Sequence, residues 1–127
     1  MTAKEISKLK GYKSVIRNSR EHKLLAFKVA RQAEKVLPFF EKVHPKDKRP
    51  RLAIEAIRAW GQGKIELGMA SVRKFSLDAH AAARAAKTDA ARLAARAAGQ
   101  AVATWHVPNH GLAVPWYTKK AMMANKK

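Results

Sequence analysis

The chain has 127 residues, with 27 Lys and Arg against 9 Asp and Glu, a net charge of +18 and no cysteine. This length fits one domain able to bury a core, and the missing thiols exclude disulfides and thiolate chemistry while suiting the reducing cytoplasm, the compartment expected here. Residues 1–50 hold 14 basic and 5 acidic side chains and residues 51–127 hold 13 and 4, so each part carries +9; such a field draws in polyanions or acidic proteins without saying which is bound specifically.

Residues 1–18 read as a basic arm containing Gly11 and Tyr12. The start, MTAKEISKLKGYK, has no apolar stretch behind its charges, so no secretory leader is expected. Asn18 or Ser19 is placed to cap a helix over about 20–43. There Leu25, Val29, Ala33, Val36, Phe40 and Val43 fall on one side. Lys28, Arg31, Lys35 and Lys42 form a second stripe, free to meet water or an anionic partner. Pro38 predicts a kink or break near Leu37, and HPKDKRP (44–50) a loop.

Pro50 suits the first turn of the next helix. Ala53, Ile57 and Trp60 share its core side, and Glu55 stands within reach of both Arg51 and Arg58. Gly61 and Gly63 supply its stop. Another helix is predicted over about 66–86 from Met69, Val72, Phe75, Ala79, Ala82 and Ala86. Thr88 looks like the cap of one more, running to about 104, with Asp89 in its first turn.

Fourteen alanines lie between residues 79 and 103. Alanine favours helix and lets backbones approach, which predicts a tight antiparallel hairpin. A last helix is predicted over about 109–124, disturbed by Pro115 and followed by a frayed tail at 125–127. No strand pattern occurs and no run is apolar enough to span a membrane. The expectation is an all-α compact bundle or array of five to six helices with an alanine-rich helical hairpin, one domain over 19–124.

HPKDKRPRLAIEAIRAWGQGKI, then DAHAAARAA, then AARAAGQAVATWHVPNHGLAVPWYTKKAM, preceded by HKLLAFKVARQAEKVLPFFE, resemble in order and separation the immunity-five-like putative immunity proteins of bacteria. The resemblance covers roughly residues 20 to 123, and AIEAIRAW…GKI is its most specific block. It implies an all-helical domain that neutralises a toxin in bacterial competition, and it brings no catalytic residues with it. The strong positive charge departs from many members and points to an acidic face on the partner.

For partner binding the candidates are Lys28, Arg31, Lys35, Lys42, Arg51 and Arg58. Glu55, His80, His106 and His110 form a candidate polar cluster. His106 and His110 stand one turn apart if the helix continues, a spacing that two imidazoles use to hold a metal. Pro108 intervenes and no third ligand lies near in sequence, so packing or capping is the preferred reading and no metal is expected. His80 reads as a packed residue bonded to a neighbour. GQGK (61–64) lacks the frame of a phosphate loop and reads as a helix stop. Trp60, Trp105, Trp116 and Tyr117 read as core rather than as base-stacking platforms.

No paired acids or activated nucleophile suggest catalysis, and no cofactor is expected. Two functions remain: an immunity protein binding a cognate toxin, and a non-specific nucleic-acid binder acting through charge alone.

Overall fold

The computed structural model describes residues 15 and 17–126. The predicted basic arm, Tyr12 included, otherwise lies outside the described residues. Helix α1 (Arg20–Glu41) begins where the Ser19 hydroxyl accepts the His22 amide at 3.0 Å. Asn18 takes a left-handed φ of 62° just before it, a conformation that asparagine tolerates better than most residues. Of the predicted kink or break near Leu37, the break does not occur, and the helix continues to Glu41. Pro38 lies only one turn from the end, so the helix forgoes a single bond there. The Pro38 carbonyl still accepts the Lys42 amide at 2.9 Å.

Helix α2 (Arg49–Gly61) carries Pro50 in its first turn and ends in a Schellman motif. The Gly63 amide donates to the Trp60 carbonyl and the Lys64 amide to the Ala59 carbonyl, both at 2.9 Å. Gly63, at φ 75°, supplies the left-handed residue this closure requires. Gly61 has a different task. A Cβ there would lie 2.9 Å from both the Lys23 carbonyl oxygen and the Phe27 amide nitrogen, so its bare backbone is where α1 and α2 touch.

Helix α3 (Met69–Arg84) starts three residues later than predicted, and α4 (Asp89–Ala103) is capped as predicted, the Thr88 hydroxyl accepting the Ala91 amide at 3.1 Å. The two run antiparallel at close range: Ser76 bonds the Gly99 carbonyl at 3.2 Å, and a Cβ on Gly99 would meet the His80 ring at 2.6 Å. The predicted final helix divides in two. A 3-10 segment, Pro108–Leu112, precedes α5 (Ala113–Asn125). Pro115 therefore sits in the first turn of α5, where a missing N–H costs little.

Helix α4 is the hub. It packs against all four other helices and the 3-10 segment, and all its alanines but Ala103, with Gly99 and Val102, are buried. Only a helix this slim allows four neighbours to close on it. The bulk comes from those neighbours: Val29, Val36, Leu37 and Phe40 of α1, Ile54, Ile57 and Trp60 of α2, and Val114 of α5. The fold is thus all-α, five helices with an alanine-rich hairpin and no strand among the described residues. No described helix is long and apolar enough to cross a membrane.

Candidate functional site

The α1 periodicity that buries Val29, Ala33, Val36 and Phe40 turns Lys28, Arg31, Lys35 and Lys42 outward, and all four are exposed. Lys28, Arg31 and Lys35, with Phe27 and Gln32, line a shallow cleft of about 310 Å³. The Gln32 side-chain oxygen is buried beside it without a hydrogen-bond partner. Lys42 stands apart, in a second cleft shared with Phe39, Asp89 and Asn125. Among the described residues none of the four cations is in an ion pair.

Arg51 and Arg58 are placed differently. Arg51 grips Glu41 with two bonds, Nε to Oε2 at 2.6 Å and Nη2 to Oε1 at 2.5 Å. Its bonds to the Glu41 carboxylate hold that carboxyl below its usual range. Arg58 pairs with Glu34. Both guanidinium groups therefore tie α2 to α1, Arg51 by a two-point contact that adds specificity. Glu55 meets only Arg51, at 3.6 Å, and not both arginines as the spacing predicted; Glu34, across the helix interface, has taken Arg58.

The histidines divide by burial. His106 and His110 are not on one continuous helix, because α4 ends at Ala103 and His110 belongs to the 3-10 segment. His106 is exposed. His110 Nδ1 donates to the Gln100 side-chain oxygen at 2.9 Å. His80 accepts from Arg96 at 2.8 Å through Nδ1, so its proton resides on Nε2. His80 stands on α3 and His110 on the 3-10 segment, whereas Glu55 sits on α2 with its arginine. Among the described residues no group of three or more His, Asp or Glu is arranged to hold a metal.

A histidine that the sequence reading passed over is the most enclosed. His22 is fully buried. Its Nε2 donates to the Thr104 carbonyl at 2.6 Å while Nδ1 accepts the Asn18 amide at 2.9 Å, which fixes a neutral ring joining the start of α1 to the end of α4. Nothing in the sequence marks it beyond its place in the first turn of α1.

Burial lowers the pKa of His22, His80 and His110, and the Arg96 guanidinium helps push His80 down to about 4. The unfolded chain takes up these protons near pH 6.5, so the neutral imidazoles stabilise the fold fully above about pH 7. That contribution is lost as the pH falls toward 4, by about 2–3 kcal/mol for His80 alone. Urea unfolding at pH 7.5 and 4.5 checks it: an unchanged midpoint, or an NMR titration of His80 centred above pH 6, contradicts the buried neutral ring.

The aromatic residues do not all enter the core as predicted. Trp60 is buried, Trp105 half-buried beneath the Arg17 guanidinium, and Trp116 is 42% exposed, with the Lys120 ammonium over its face. Likewise Met69, predicted as core, is exposed on α3 together with Leu77. Leu77 lies off the apolar stripe of its helix, which is the one sequence signal that could have flagged this face.

A family model described as Imm-5 like putative immunity protein matches residues 16–127, nearly the whole chain, and the chain belongs to that family. No curated protein and no solved structure matches it.

Proposed function

We propose that this member of the Imm-5 like family is an immunity protein that acts in the cytoplasm by binding a toxin, without catalysis, through its basic surface. The family implies a partner protein; the observation that selects the surface is the contrast among cations. Arg51 and Arg58 are held by Glu41 and Glu34 across the contact between α2 and α1. Lys28, Arg31 and Lys35 on α1, and Lys42 just past its end, are exposed and make no ion pair among the described residues. Such a stripe accelerates encounter with an acidic face and makes it salt-sensitive. The toxin is therefore expected to present a patch rich in Asp and Glu.

The test is a pull-down from the native host with nuclease treatment as control, followed by co-expression with any toxin recovered and binding measured with purified proteins. Replacing Lys28, Arg31 and Lys35 by Glu is expected to weaken binding by about tenfold or more, roughly 1.4 kcal/mol, at 150 mM salt, with unchanged far-ultraviolet circular dichroism. Unaltered affinity returns the stripe to plain solvated surface. A tenfold excess of heparin or duplex DNA leaves a toxin complex intact. A complex that either polyanion dissolves completely marks a phosphate-binding surface instead, with the steep salt dependence of counterion release.

A further inference from the structure

A stripe of lysines speeds association but does not hold a partner. Rim charges act mainly on encounter, and retention comes from a few apolar anchors in desolvated pockets. The outer face of α3 offers such a place. Met69, Ala70, Arg73, Lys74, Leu77 and Asp78 line a cleft of about 520 Å³. An adjoining cleft of about 320 Å³ shares Met69, Arg73 and Leu77 and extends to Ala103 and His106. Leu77 is 59% exposed and Met69 40%. The inner face of α3 packs on α4 and α2, and among the described residues no element packs on this outer ridge.

Leu24, Leu52 and Trp116, the exposed apolar side chains on α1, α2 and at the start of α5, are less suited. Leu24 and Leu52 stand on different helices. Trp116 is already engaged by Lys120 at 5.6 Å and by the Tyr117 ring at 4.9 Å.

Charge selects the occupant. Among the described residues Arg73 has no ion pair, and Lys74 has only Asp78, one turn away at 2.7 Å on the surface. A second copy of the chain would bring +18 against +18. We infer that this face is the anchor of the partner interface and takes an apolar helical segment of the partner protein bordered by carboxylates. Leu77 and Met69 meet its apolar side chains, and Arg73 and Lys74 meet the flanking acids. This inference rests on the reading of the chain as a partner-binding protein, and it adds where the partner is held.

The probe is a capped helical peptide of about 15 residues, with leucines along one face and glutamates on either side, compared with the same peptide carrying lysines instead. Binding is followed by fluorescence anisotropy and by amide chemical shifts of the full chain. The acid-bordered peptide is expected to bind about tenfold more tightly than the lysine version and to shift the amides of 69–77. Leu77→Asp combined with Met69→Asp is expected to weaken it by about tenfold or more. Reversal of Lys28, Arg31 and Lys35 is expected to change it by less than about threefold. Both α3 positions are exposed, so the variant folds, and circular dichroism checks that it does.

No binding, shifts confined to α1, or indifference to the α3 variant overturns the inference. So does sedimentation showing a dimer that Leu77→Asp dissociates, since the occupant would then be a second copy. Failure of the immunity reading looks different: the wild-type chain recovers no toxin from its host, or protects against none that it recovers, whatever the peptide does. Full protection by the α3 variant sinks the anchor alone.

Discussion

Replacing Trp60 with alanine is expected to destabilise the protein by about 3–5 kcal/mol, the range for truncating a buried tryptophan. The ring is 3% exposed in the last turn of α2. The His22 ring approaches it edge-on at 4.8 Å, and the Lys23 ammonium lies 5.0 Å from its centre. Removing the indole leaves a cavity where α1 and α2 converge and unseats the imidazole bonded to Thr104. Trp60→Phe keeps an aromatic face and is expected to recover more than half of the loss. Urea unfolding measures both variants, and a double-mutant cycle with His22→Ala is expected to give a coupling of about 0.5–1.5 kcal/mol. A Trp60→Ala loss below about 0.5 kcal/mol would mean that the ring is not in the core.

The same corner explains how so basic a chain folds without wasting its few acids. Glu34 and Glu41 both project from α1 to arginines of α2, and Asp47 binds Arg49 in the connecting loop with bonds of 2.7–3.1 Å. Asp78 and Asp89 pair within their own helices. The acids thus serve geometry close to home. Among the described residues most other cations, whose mutual repulsion weakens any compact state, lie at the surface, with one run of them along α1. A partner that covers this run relieves that repulsion, which couples binding to stability.

The helices were legible because their signals are local: apolar residues at helical spacing, Ser19 and Thr88 as caps, Gly63 as the stop. The hub role of α4 was only half legible. Fourteen alanines predicted close packing with α3, but not that four helices converge there; that depends on what the other helices bring. Pro38 misled because the rule against proline assumes an interior position, and here one turn of helix remained after it. The α1 stripe could be drawn from periodicity. The fates of Arg51 and Arg58 could not, since Glu34 and Glu41 lie 24 and 10 residues away and reach them only once the helices pack. The α3 face was hidden for a similar reason. Met69 fits the apolar stripe of its helix, yet at the first turn no neighbour extends far enough to cover it.

Gly61→Val is expected to cost about 3 kcal/mol, the upper part of the range for overpacking a core. By propensity alone the change is favourable, since glycine is the poorest ordinary residue in a helix. The contact decides the sign. A Cβ at 61 would stand 2.9 Å from two backbone atoms of α1 and 3.3 Å from the Ala26 Cβ, and a helix backbone cannot rotate aside as a side chain can. The helices must separate, which also pulls Arg58 from Glu34 and loosens the seat of Trp60. Gly63 separates crowding from conformation. It has nothing within 4 Å of a would-be Cβ, but its φ is 75°. Gly63→Ala is therefore expected to lose only about 1–2 kcal/mol, and Gly63→Asn less, because asparagine visits that region. At Gly61 asparagine should offer no relief. If Gly61→Asn matches the wild type in urea unfolding, α1 and α2 do not meet backbone to backbone, and the close seat that aligns their ion pairs is not there.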